Sequence, residues 1–150
     1  MKKNEFTKEQ INHVMDCMNE AITEARRRRA GVAIADFYVS SLDGKSTNKF
    51  DDKAESILAL AAEKLRKLGY YSITVKYEDD TSGHYFRVYI SKEGFYLEMV
   101  QTILNLQDRM SAVACIGFMG KLAGYSDLEI KHQLEDAGCF DSDEDDEEDD

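Results

Sequence analysis

The 150-residue chain contains no proline and no tryptophan, only three cysteines, and no apolar run approaching the roughly 20 residues that cross a bilayer. The missing proline and tryptophan decide little by themselves. Cys17, Cys115 and Cys139 are too few and too scattered for a disulfide framework or a zinc site, which points to a reducing compartment. The N-terminal run Met1-Lys-Lys-Asn-Glu-Phe6 lacks the apolar core of a signal peptide. The expectation is a cytoplasmic protein with no membrane partner. No motif asks for a cofactor, and no catalytic signature stands out.

What the chain has in excess is acid. Lys and Arg total 19 against 30 Asp and Glu, a formal net charge of -11. Nine of those 30 acids lie in residues 141–150, which contain no base. Residues 1–140 therefore carry a net charge of only -2, and the chain divides into a nearly neutral single domain, 1–140, and an anionic tail. Like charges repel and nothing apolar remains there to bury, so the tail is expected to be disordered. It either solubilises the protein or occupies a basic surface, on a partner or on its own body. Its charge density approaches that of a nucleic-acid strand, which carries about one charge per 3.4 Å. A calcium loop is excluded: an EF-hand needs Gly sixth and Glu twelfth, but the sixth residue from Asp141 is Asp146 and the chain ends at the tenth.

Periodicity predicts a helix from about Thr7 to Ala30, with Ile11, Val14, Met15, Met18, Ile22 and Ala25 on one stripe. Thr7 and Gln10 fit a capping box, and Gly31 is the expected stop. A strand is expected over 31–40, a loop over 40–48, and a helix from about Asp52 to Leu68 ended by Gly69. Tyr71–Tyr77 and His84–Ile90 read as paired strands about a turn at 78–83. Residues 95–100 read as a third strand or the start of a long helix, the strand being favoured, 107–122 as a helix, and Ser126 with Glu129 as a second capping box opening a short helix stopped by Gly138. The fold class is α+β: a long N-terminal helix and a small antiparallel sheet packed by helices.

With 95–100 as a strand, residues 51–122 would run α-β-β-β-α, an element order that resembles double-stranded RNA-binding domains. That family's lysine-rich start to the last helix has no counterpart in Asn105-Leu-Gln-Asp-Arg-Met110, so RNA clamping is not implied. Gly44-Lys45-Ser46 lacks the P-loop glycine five residues earlier, where Val39 stands. A helix-turn-helix entry at Leu122–Ile130 would send acidic residues into the DNA groove. His13 and Cys17 stand one helical turn apart with no third group to orient them.

Two candidate surfaces remain. Asp143, Glu144, Asp145, Asp146, Glu147, Glu148, Asp149 and Asp150 could engage a protein partner with a basic surface, as a nucleic-acid mimic. Alternatively, Arg26, Arg27, Arg28 and Arg29, the one basic cluster, could join a sheet face to bind single-stranded nucleic acid. Eight of the fifteen Phe and Tyr residues lie between Tyr70 and Tyr96. In the 84–90 strand Phe86, Val88 and Ile90 share one face and Tyr85, Arg87 and Tyr89 the other. If Ile73 and Val75 join the apolar set, Lys76 stands with Tyr85, Arg87 and Tyr89, and Tyr96 lies nearby, as a stacking platform. The plain alternative has these tyrosines make cross-strand pairs or pack beneath the N-terminal helix. A third possibility uses apolar Ala112–Leu122 as a subunit interface. The favoured expectation is a non-enzymatic inhibitor or modulator. A small, acidic, cysteine-poor chain without catalytic motifs resembles in style the early proteins that viruses of bacteria direct at host enzymes.

Overall fold

The computed structural model describes residues 7–39, 52–79 and 83–139. The expected loop at 40–48, the tip of the 78–83 turn and the acidic tail lie outside them. Among the described residues eight elements follow in order: α1 (Lys8–Arg27), β1 (Ala33–Tyr38), α2 (Asp52–Lys67), β2 (Tyr71–Asp79), β3 (Gly83–Ser91), α3 (Gly94–Leu106), α4 (Ala112–Leu122) and α5 (Asp127–Asp136). This is an α+β fold, and none of these helices is long and apolar enough to cross a membrane.

The sheet order is β1-β3-β2, antiparallel throughout. Side chains alternate across it, so each face has its own helical layer. Ala33, Ala35 and Phe37 of β1 align with Ile90, Val88 and Phe86 of β3, and this face is buried against α1 through Val14, Met18 and Ile22 and against α2 through Ile57, Leu58, Ala61 and Leu65. The other face carries three cross-strand rows, Ile34–Tyr89–Ile73, Asp36–Arg87–Val75 and Tyr38–Tyr85–Tyr77. Its first row and Val75 pack under Leu97, Val100 and Leu104 of α3 and Met119 and Leu122 of α4.

Both capping boxes form as expected, Thr7 with Gln10 and Ser126 with Glu129, each satisfying otherwise open backbone N–H groups. Gly69 and Gly138 end α2 and α5 with left-handed φ of 96° and 77°. The stop of α1 differs from expectation. Arg29, not Gly31, takes the left-handed position, at φ 57°, which costs a residue with a Cβ about 1 kcal/mol. Gly31 is glycine for another reason: a Cβ there would stand 2.5 Å from the Tyr96 ring. The N–H groups of Gly31 and Val32 both donate to the carbonyl of Leu122, at 3.2 and 3.1 Å. Ser91 donates to the Gly31 carbonyl at 2.7 Å while accepting from the Glu93 N–H at 3.0 Å, joining the start of β1 to the entry of α3.

The third strand expected at 95–100 is instead the first half of α3. Leu97, Val100 and Leu104 recur at helical spacing and pack on the sheet. The described residues of 51–122 therefore lack the third strand of the RNA-binding element order. The helix expected over 107–122 begins only at Ala112, where the Ser111 hydroxyl accepts from the Ala114 N–H at 3.1 Å.

Candidate functional site

The expected sheet platform is divided by the register. Lys76 pairs with Phe86, not with Arg87, so it belongs to the α1–α2 face, where its ammonium meets Glu55 at 2.6 Å. Ile73 and Val75 stand with Tyr89 and Arg87. The expected facing of β2 was therefore reversed, because both sheet faces are covered and apolar residues occur on each. Tyr89 is only 2% exposed and lies under α3 and α4 rather than under α1. Burial, then the hydrogen bond shared with the Tyr77 hydroxyl 3.2 Å away, pushes the Tyr89 phenol well above its ordinary range. A base cannot stack on it without displacing the helices.

Arg87 is engaged as well. Its Nε and Nη2 donate to the two carboxylate oxygens of Asp36 at 2.8 and 3.0 Å, and its guanidinium lies 5.2 Å from the Tyr77 ring and 5.7 Å from the Tyr85 ring. Burial alone would lower its pKa, but the Asp36 carboxylate outweighs that and holds it above the usual arginine value. The row of tyrosines beside this pair is what the face offers. Tyr77 stacks on Tyr85 at 5.3 Å, Tyr38 tilts against Tyr85 at 5.4 Å, and Tyr38 is 43% exposed. Tyr38 and Tyr77 were missed in the sequence because their membership depends on the register. Asp36, Tyr77, Arg87 and Tyr89 also wall a cleft of about 500 Å³ beneath α3, α4 and α5.

The four arginines have separate fates. Arg27 pairs with Glu24 on α1. Arg28 donates to Glu24 at 2.7 Å and, through both terminal nitrogens, to Glu129 at 2.7 and 2.8 Å, with the Tyr125 ring 5.1 Å away. Arg26 donates to the Tyr70 hydroxyl at 2.8 Å, and Arg29 has no ion pair among the described residues. Arg26 and Arg29 line a groove of about 230 Å³ with Lys92, Tyr70, Tyr96 and Glu93.

A third concavity, unforeseen because a strand was favoured over 95–100, lies between α3 and α4. Phe95, Met99, Ile103, Phe118 and Leu122 line about 610 Å³, rimmed by Glu98 and Lys121. Phe95 and Phe118 are each 54% exposed and Met99 45%. Tyr96 anchors the start of α3, stacking on Phe95 at 4.3 Å rather than joining the sheet platform.

Among the described residues, no three His, Cys, Asp or Glu side chains converge as a metal site would require. His13 Nε2 and Cys17 Sγ are 3.9 Å apart. Burial, then the carboxylates of Glu20 and Asp16, push the Cys17 thiol up, away from the reactive thiolate. The eight tail acids nominated above lie outside the described residues. Comparison with known proteins returns no matching family model, no matching curated protein and no matching solved structure.

Proposed function

We propose that this protein is a non-enzymatic binding protein that inhibits or modulates another protein, and that the partner presents an apolar ridge within a basic surface. The observation that carries this is the α3–α4 groove, where Phe95, Met99 and Phe118 stand half-exposed on two adjacent helices. Contiguous exposed apolar surface of this kind marks interaction sites, and aromatic and Met side chains are enriched at interface centres. Charge selects the occupant. A second copy would bring another -11, whereas a basic partner is attracted by the nine acids of residues 141–150.

The test is affinity capture from a cytosolic extract with three full-length forms: the natural chain, Phe118→Glu, and a chain with Asp→Asn and Glu→Gln across 143–150. The expected result is a partner lost with Phe118→Glu and weakened by tail neutralisation and by salt. A partner retained equally by all three forms would overturn the proposal. So would a dimer that Phe118→Glu converts to monomer, since the groove would then belong to a second copy.

A second reading, binding of single-stranded nucleic acid, is favoured by the Tyr38–Tyr85–Tyr77 row. It expects Tyr85→Ala to weaken binding of a single-stranded oligonucleotide and tail neutralisation to tighten it. No detectable oligonucleotide binding by either the natural or the neutralised chain rejects it.

A further inference from the structure

We infer that the groove at the C-terminal end of α1 is a binding site for a phosphomonoester, a small molecule with a terminal phosphate on a sugar or nucleoside. Three cations reach it from three places: Arg26 from the last turn of α1, Arg29 from the exit of that helix, and Lys92 from the β3–α3 connection. Among the described residues, Arg27, Arg28, Lys76, Arg87 and Lys121 each have a carboxylate within 4 Å; Arg26, Arg29 and Lys92 have none, as do several cations elsewhere, and these three are the ones that share a groove.

What holds two of these three in place is neutral. The Tyr70 hydroxyl accepts from Arg26 at 2.8 Å, and the Lys92 ammonium lies 5.3 Å from the Tyr70 ring. The phenol positions both without cancelling either charge. Arg29 adds an independent sign. It occupies a left-handed helix exit where glycine is the ordinary residue, and it lines the groove.

Glu93 is the one acid of the lining, so the groove carries a net charge of +2. That complements a phosphomonoester, which bears about -1.5 to -2 at neutral pH, better than it does a monoanionic carboxylate or phosphodiester. The backbone N–H groups of Arg28, Arg29 and Ala30 are spent on carbonyls of α1, and those of Gly31 and Val32 on Leu122, so the donors are side-chain forks suited to phosphate oxygens. The volume of about 230 Å³ has room for a phosphate and a ring-sized group, and Tyr70 and Tyr96 supply walls for the latter.

The full-length protein is titrated calorimetrically at low salt with inorganic phosphate, a nucleoside 5′-monophosphate, and the same nucleoside without phosphate. Binding is expected in the order monophosphate, phosphate, with none for the nucleoside. Arg29→Gly removes a cation while relieving the left-handed backbone, so the fold is retained and affinity falls about tenfold or more. Arg27→Gln, which lies outside the lining, and Phe118→Glu, in the apolar groove, leave affinity unchanged. Absence of binding to all three probes, an equal loss with Arg27→Gln, or no loss with Arg29→Gly overturns the inference.

Discussion

Arg28 and Glu129, 101 residues apart in sequence, form a two-pronged guanidinium–carboxylate pair at 2.7 and 2.8 Å. Glu129 is also the capping-box acid of α5, its Oε1 accepting from the Ser126 N–H at 2.8 Å. One carboxylate thus closes the start of α5 and ties that helix to the end of α1. Gly124, at φ 77°, brings the α4–α5 turn so near that a Cβ there would stand 2.9 Å from the Arg28 Cβ.

This pairing sets a pH dependence. The Arg28 hydrogen bonds, then the Ser126 N–H, hold the Glu129 carboxyl at about 2, and Glu24 and Asp127 are held below their ordinary values by Arg27 with Arg28 and by Lys121. A carboxyl lowered in the folded state contributes its full stability above its unfolded pKa and loses it as pH falls through the folded one. The melting temperature is expected to fall between about pH 4.5 and pH 2, and Glu129→Gln to flatten that slope. A Glu129→Gln profile parallel to the natural one refutes the assignment.

Two glycines of α4 should respond in opposite directions. A Cβ at Gly120 would lie 2.7 Å from Ile130 Cγ1, so Gly120→Ala forces α5 away and is expected to cost roughly 1–3 kcal/mol. Gly117 has nothing within 4 Å of such a Cβ, and Gly117→Ala should stabilise by about 0.5–1 kcal/mol through helix propensity. Denaturant unfolding of both variants reads the difference.

Asp36→Ala leaves the Arg87 guanidinium beside the stacked Tyr77 and Tyr85 rings without its carboxylate. The expected loss is roughly 1–3 kcal/mol, and a double-mutant cycle with Arg87→Ala should recover part of it. Additive losses would show that the pair is not coupled.

Phe118→Glu tests the apolar groove in isolation. The side chain is half-exposed, so stability should change by less than about 0.5 kcal/mol, while binding of an apolar fluorescent dye to the native protein should fall. A large loss of stability would make Phe118 a core residue instead.

The helix stripes, both capping boxes and the β2–β3 hairpin were legible because each rests on neighbours in sequence: Thr7 with Gln10, Ser126 with Glu129, and Ile11 to Ala25 at helical spacing. Two features were not. The sheet is covered on both sides, so β2 shows no solvent face, and Ile73 and Val75 give no hint of which layer they meet. Residues 95–100 carry no side-chain cap at Glu93 and two leading aromatics, so their helical spacing emerges only when Leu104 is counted. The candidate surfaces depend on these same points. Lys76 left the platform and Tyr38 and Tyr77 entered it with the register, and the apolar groove arose with α3. The expected cytoplasmic location and the role of the tail rest on the sequence alone.

The carbonyl of Leu122, which receives the N–H groups of both Gly31 and Val32, has a consequence for synthesis. A ribosome adding about 5–20 residues per second delivers that acceptor roughly 5–20 s after the donors. The first strand must therefore wait, its leading edge unanchored, until most of the chain has emerged. Closure of this domain is a late event of translation, and a chain truncated before α4 is a candidate for chaperones rather than a smaller version of the fold.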